Sequence, residues 1–520
     1  MSATTVVLLL LSTILALIRV FVKGFGHSFN GAQKLSPFPT SPKRRMPGPT
    51  PWPLIGDLPR LGATESPFQA FSALSRVYGE IYRLRLGTAD CVVVSSFRLI
   101  KEVLISKGAH FGGRPDLLRF HALFGGDRNN SLALCDWSSL QKRRRGIART
   151  YCSPRFASSN YDQLDRVANE EAECFIQHLD THVQHNAEIH IKPLLLAACA
   201  NMFSSYMCST RFQYEDTGFR NMVRRFDEIF WEINQGYVVD FLPWLQPFYA
   251  RHLDKLAGWT RDIRRFVHER VVEERVRPTT TKDGEQTTNS SAETEPKDFT
   301  DALLAHLKED PSLGWHHILY ELEDFLGGHS AVGNLAMLVL TAIVRNPQVG
   351  KKIQEEVDRI TKGTRSINLF DKADMPYTEA TILETLRTTS SPIVPHVATQ
   401  HTTIADYPVK KGTIVFLNNY ELNTAAEYWE AADEFRPERF ISNEGQIKKP
   451  EFFIPFSTGK RTCIGQKLVN GFCFVLITRL LQHYDIAAVD LDLIDTRPAC
   501  VALPPDSFPL KITHRAKVVT

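Results

Sequence analysis

The nine cysteines of this 520-residue chain include no Cys-x-x-Cys pair and no zinc-type ligand spacing. Their number is odd and their positions are scattered. That argues against a disulfide-stapled secreted scaffold and for free, mostly buried thiols in a reducing compartment. Net charge is scarce too: 61 Lys and Arg against 58 Asp and Glu leave a formal +3. No chain-wide basic field is available to hold nucleic acid, so no nucleic-acid partner is expected and charge arguments must be local. Tandem repeats are also lacking. What is present is core material. At 43% hydrophobic and 23% charged residues, the composition is that of a globular protein, and a large, mostly helical enzyme reaches this length without dividing.

Positive charge is absent from Met1 to Thr5, ahead of the first apolar run, and no small-residue cleavage site follows it. Both absences count against a cleaved signal peptide. The run itself, Thr4 to Val22 (TTVVLLLLSTILALIRVFV), has the length needed to cross a bilayer as a helix. Arg19 can snorkel to the interface, and Lys23, Lys43, Arg44 and Arg45 keep the downstream side cytoplasmic. Residues 1–23 are therefore read as a membrane anchor. Residues 24–53, with prolines dense from Pro37 to Pro53, are read as a stiff extended linker. Residues 54–520 form the catalytic domain.

Gly79 to Ser95 alternates and is β-branched, which predicts a short hairpin. Helical periodicity dominates from Phe97 to Leu307 and again from Trp315 to Arg387. Residues 277–297 carry almost no apolar side chains and are predicted to be a flexible surface loop. A strand-like stretch spans Thr402 to Phe416, and a last strong helix spans Gly465 to Gln482.

The most informative segment is Phe456-Ser-Thr-Gly-Lys-Arg-Thr-Cys-Ile-Gly. A thiolate at Cys463 can bind haem iron and push electron density toward dioxygen. Glycines permit close approach to a flat macrocycle, and the helix after Cys463 points its first N–H groups at the sulfur. Phe456 can shield the sulfur from water, and Arg461 can pair with a haem propionate. Phe456, Gly459, Arg461, Cys463 and Gly465 at this spacing resemble the haem-binding signature of the cytochromes P-450.

Other segments carry the same resemblance. Glu384 and Arg387 share a helix face, a spacing that a solvated ion pair would meet as well. They stand in Glu-Thr-Leu-Arg, and Phe435-Arg-Pro-Glu-Arg-Phe follows. The resemblance implies a structural Glu384–Arg387–Arg439 network behind the cysteine loop. It also implies haem contacts at Trp137 and His396. Where the family usually adds a basic residue four positions after Trp137, this chain has Gln141, followed by Lys142, Arg143, Arg144 and Arg145. Which of these faces the haem is left open. A mostly α fold with small sheets, a haem cofactor, and O2 with NADPH-derived electrons from an NADPH–cytochrome P-450 reductase are what membership would bring.

The helix expected around Glu323 to Arg345 departs from the family pattern. Gly327-Gly-His-Ser-Ala-Val stands where Ala/Gly-Gly-x-Asp/Glu-Thr-Thr is usual, so Ser330 replaces the acid and Ala331 the threonine. His329 or Ser330 is the expected substitute for that proton route, unless a substrate hydroxyl serves. A local helix cap is the competing role for His329. Glu323-Asp-Phe-Leu-Gly-Gly-His-Ser-Ala-Val-Gly-Asn, Asp240-Phe-Leu-Pro-Trp-Leu and Ser390-Ser-Pro-Ile-Val-Pro-His resemble the spook-type cytochromes P-450 of arthropods. That resemblance implies a sterol substrate, an early step of ecdysteroid synthesis after 7-dehydrocholesterol, and an endoplasmic-reticulum membrane. A reductase-independent isomerase or dehydratase and a non-catalytic sterol-binding haem protein remain alternatives.

Overall fold

The structure is a computed structural model in which residues 45–185, 188–276, 279–280, 286–287, 296–309 and 313–516 are described. The expected anchor and residues 24–44 of the expected linker lie outside the described residues, as does most of the 277–297 segment. Within that segment, Thr279–Thr280 and Gln286–Thr287 pair antiparallel.

The hairpin forms as predicted. β1 (Ile81–Leu86) pairs antiparallel with β2 (Ala89–Val94). The end of the proline-rich stretch lies along it, with Met46 buried and the Arg83 amide donating to the Pro47 carbonyl at 2.8 Å. A second small sheet includes β3 (Glu188–Ile189). The strand-like region near residue 400 supplies β4 (His396–Val397) and β5 (Ile414–Leu417), completing the order β1-β2-β5-β4. β5 runs parallel to β2, and β4 is the antiparallel edge. Near the end of the chain, β6 (Tyr484–Ala488) pairs with β7 (Leu510–His514), which also pairs with β3.

Helices make up the rest. The longer ones are α1 (Pro67–Tyr78), α2 (Ser139–Cys152), α3 (Ser159–Val183), α4 (Lys192–Cys208), α5 (Thr217–Ile233) and α6 (Gln246–Val267). They are followed by α7 (Phe299–Glu309), α8 (Trp315–Leu326), α9 (Gly328–Arg345), α10 (Pro347–Thr361), α11 (Pro376–Thr389) and α12 (Gln466–His483). Starts follow local chemistry: the Ser138 hydroxyl caps α2 by accepting from the Gln141 amide, and Pro347 opens α10. α4, α9 and α12 are apolar nearly all round, which makes them the centre of the core. Leu195, Leu335, Val339, Phe472 and Leu476 from these helices meet in one cluster at 0–1% exposure.

The helix expected around Glu323 to Arg345 begins earlier and is broken once, at Gly327. The Ser330 amide bonds back three residues to Gly327 rather than four. The whole Trp315–Arg345 unit is long and apolar enough to cross a bilayer, but 83% of its most apolar window is buried inside the body. It is a core helix.

Candidate active site

Cys463 lies in the tight loop between Phe453 and α12. Its amide donates to the Phe456 carbonyl at 2.9 Å, and a single 3-10 turn, Gly459–Arg461, leads up to it. Gly459 has φ 73°, and a Cβ there would stand 2.3 Å from the Leu104 carbonyl oxygen, so only glycine fits. Gly465 caps α12, and a Cβ on it would touch the Cys463 sulfur at 4.0 Å. All nine cysteines are free, and Cys463 alone among them is exposed. Desolvation by the protein packed around the loop still raises its thiol above the ordinary value. The Gly465 and Gln466 amides and the Arg145 guanidinium oppose that rise by favouring the thiolate.

Two residues before the cysteine, Arg461 turns inward. It donates to the carbonyls of Ala133 at 2.9 Å and Cys135 at 2.7 Å, and to the Gln141 side-chain oxygen. Arg114 donates to the carbonyls of Ala133, Val394 and Pro395. Both guanidiniums are buried at 7% exposure. Neither pairs with a carboxylate among the described residues; their partners are neutral oxygens. Burial lowers both pKa values, that of Arg461 to about 10. His396, on β4, sits beside them. Its Nδ1 lies 2.7 Å from the Phe111 carbonyl, while its Nε2 is buried with no partner. Burial and the two arginines push this imidazole down to about 3. A neutral ring that donates through Nδ1 has no proton left on Nε2, so His396 donates to an anion only as an imidazolium. Trp137 is held against the Gly112 backbone, with the Lys460 ammonium 5.8 Å from its ring centre.

Two buried cations with only neutral partners, beside an orphaned ring nitrogen, are costly unless an anion joins them. A haem supplies two carboxylates and an iron for the exposed thiol, so this set of donors fits it. The residue types expected at Trp137, His396, Arg461, Cys463 and Gly465 are brought into this region. Arg114 was not foreseen. Its partners come from residues 133 and 394–395, and nothing local marks it. Gln141, left open in the sequence, orients Arg461. Arg145 is the helix-α2 cation that reaches the cysteine loop, donating to the Thr462 carbonyl at 2.6 Å. Arg144 turns away to Glu321 at 2.5 Å.

Behind the loop, the Glu384 carboxylate receives both ends of the Arg387 fork at 2.8 Å and the Arg439 Nε at 3.0 Å. Arg387 also donates to the carbonyls of Asn423 and Ala432, and both guanidiniums lie over Trp429. Glu384 and Arg387 are fully buried. The trio therefore joins α11 to the irregular stretch before the cysteine loop. The ring of Phe456 packs against the main core, and its carbonyl holds the Cys463 amide.

The distal helix is different. Asp324, Gly327, Gly328 and Ala331 are half-exposed in an otherwise buried stretch, so the open face runs through them. His329 and Ser330 are fully buried. The His329 Nδ1 lies 2.5 Å from the Leu326 carbonyl at the helix break, and its ring stands edge-on to Phe226 of α5. Burial lowers it to about 4, so it is neutral. The Ser330 hydroxyl is 3.5 Å from His329 Nε2. Both side chains are packed away from the half-exposed face, and His329 stands where a helix cap would.

Comparison with known proteins agrees with this architecture. The cytochrome P-450 family model matches residues 46–512. Cytochrome P-450 307a1 of Drosophila melanogaster is 49% identical over 91% of this chain and 90% of its own length. Cytochrome P-450 1A1 of Canis lupus familiaris is 28% identical over 94% and 92%, and cytochrome P-450 2U1 of Homo sapiens 27% over 85% and 84%. The chain belongs to the cytochrome P-450 family. It is an oxidoreductase of the haem-thiolate monooxygenase class, which uses haem and O2 with NADPH-derived electrons passed on by a reductase.

Proposed function

We propose that the chain oxidises a sterol, at an early ecdysteroid step after 7-dehydrocholesterol, with Cys463 as the axial ligand of its haem. The observation that carries the site is the pairing of one exposed thiol with two buried guanidiniums that have no carboxylate partner among the described residues. The sterol reading rests on the spook-type resemblance of the distal-helix, Asp240 and Ser390 segments. Bound through Cys463, haem supplies the oxygen-activating redox chemistry. The chain's own residues do the rest. The Gly465 and Gln466 amides and Arg145 steady the thiolate, the Phe456 carbonyl fixes the Cys463 amide, and Arg114, Arg461 and Trp137 receive the carboxylates, joined by His396 once it takes up a proton on Nε2. Ala331 keeps the half-exposed face of the distal helix small where a flat substrate would lie, while Gly327 and Gly328 let Phe226 and Phe203 pack close against the helix.

Electrons come from the reductase, and Lys142 and Arg149 on the exposed side of α2 are its proposed docking cations. Charge reversal there slows reduction most at low salt, because exposed charges chiefly set association rate. Residues 4–22 anchor the chain in the endoplasmic-reticulum membrane. Trp244 and Phe248, 60% and 83% exposed, offer a second apolar contact with it.

Mass spectrometry of products from the purified protein, a reductase and 7-dehydrocholesterol tests the reading. An oxidised sterol that requires NADPH is expected. A second reading, a reductase-independent isomerase or dehydratase, is favoured by Ala331 in place of the threonine and by the burial of His329 and Ser330. It predicts a rearranged product without NADPH.

A further inference from the structure

The amino-terminal half of the distal helix carries three carboxylates, and each holds a different element. Glu321 pairs with Arg144 of α2, and Glu323 with Arg264 of α6 at 2.7 Å. Asp324 holds a turn. Its two oxygens accept from the Ser131 hydroxyl at 3.1 Å and the Leu132 amide at 2.5 Å. The Ser131 oxygen in turn accepts from the amides of Ala133 at 3.1 Å and Leu134 at 3.2 Å. A trans peptide points its N–H and C=O in opposite directions. Fixing these two amides on Ser131 therefore sends the carbonyls of Leu132 and Ala133 the other way.

Those two carbonyls help to orient the cationic pair, one directly and one through Gln141. The Ala133 oxygen receives both Arg114 Nε at 3.2 Å and Arg461 Nη2 at 2.9 Å. The Leu132 oxygen receives the Gln141 amide at 2.8 Å, and the other end of Gln141 receives Arg461. Arg461's remaining acceptor, the Cys135 carbonyl, belongs to a residue whose amide is bonded to the Ser131 carbonyl at 3.1 Å. Every protein oxygen that orients Arg461 thus hangs on the turn that begins at Ser131.

We propose that Asp324, acting through Ser131, is a positioning residue for Arg114 and Arg461, so that the distal helix sets the aim of the cations that receive the haem carboxylates. This rests on the reading of those two arginines as the carboxylate-binding pair. Its consequence is that haem retention depends on a side chain that lies outside the cysteine loop's own sequence motif.

The test uses the purified full-length holoprotein and the rate at which haem passes to an excess of apomyoglobin. Asp324→Ala and Ser131→Ala should each lose haem about tenfold faster than the wild type, the effect expected of losing one charge-assisted bond. Asp324→Asn, which keeps one acceptor oxygen, should fall between. Glu323→Gln removes the neighbouring carboxylate, which holds α6 and not the turn, and should stay within about twofold of the wild type. Equal haem loss in Glu323→Gln and Asp324→Ala would mean general loosening and overturn the proposal, as would wild-type rates in both Asp324→Ala and Ser131→Ala. If Asp324→Ala does not fold, Ser131→Ala decides alone. A wild type without the reduced carbon-monoxide band of thiolate ligation would instead overturn the site reading beneath it.

Discussion

The two sides of the site are built on opposite plans. The cysteine loop is short, local in sequence and tied to its surroundings by backbone bonds: Cys463 to Phe456, Thr462 to Gly459, and the Glu384 network behind. The distal helix is long and apolar, and at its one irregularity, Gly327, a buried side chain, His329, adds a bond to the Leu326 carbonyl beside the backbone bonds that span the break. The loop keeps every residue type of the family signature, while the helix has lost both polar members of its own. The contrast follows from what each side must satisfy. A thiolate ligand needs fixed amides and a fixed cation around one sulfur, which few sequences provide. A distal face needs only open space and some route for protons, and different side chains can meet that need.

The largest effect should come from the loop. Cys463→Ser is expected to abolish the carbon-monoxide band of thiolate-ligated haem in a reduced difference spectrum, and a normal band would falsify the assignment. Next is the network behind it. Arg387→Ala takes from Glu384 its two-pronged partner and leaves Arg439 as the remaining cation in a dry interior, and should cost about 3–5 kcal/mol in denaturant unfolding. On the distal side effects should be smaller. His329→Ala removes one buried bond and should cost about 1–3 kcal/mol, with NADPH consumption still coupled to product. Peroxide released in place of product would instead assign His329 the proton role.

The same histidine gives a pH signature. Burial holds its folded value at about 4, below the ordinary 6.5 of the unfolded chain. As pH falls the unfolded chain takes up the proton first. This contribution to stability is full above 6.5 and is lost progressively toward 4. Unfolding midpoints measured across that window should decline less in His329→Ala than in the wild type. The smallest effect is expected from Ala331→Thr. Restoring the usual residue adds a methyl and a hydroxyl to a face shaped without them, so turnover should not rise. A clear gain in product per NADPH would show that the missing threonine is a defect in this chain and not an alternative design.

What was legible in the sequence was local. The hairpin at residues 81–94, the last helix and the cysteine loop each announce themselves within a dozen residues, by alternation, by periodicity or by glycine placement. Glu384, Arg387 and Arg439 were legible because two short motifs name them, and the structure brings them within 3.0 Å. Arg114 was not legible. It becomes meaningful only when the Ala133 and Val394 carbonyls arrive from elsewhere in the chain. The fate of the α2 cations was also hidden. Helical spacing fixes which face each one shares, but only packing decides that Arg144 meets Glu321 while Arg145 meets the loop. The burial of His329 was hidden for the same reason: a polar residue at a motif's centre says nothing of which neighbour its side of the helix packs against.

The contact between Gln141 and Arg461 spans 320 positions of the chain. Few contacts so distant in sequence form early, because the intervening chain must first be confined. A polypeptide emerging from the ribosome presents Arg114, Ser131 and Gln141 long before it presents Arg461 and Cys463. Its first half therefore waits with one wall of a cofactor chamber and no ligand to close it. Capture of haem becomes a late event in biogenesis, possible only once nearly the whole chain has been made. A truncated product would be unable to hold the pigment at all.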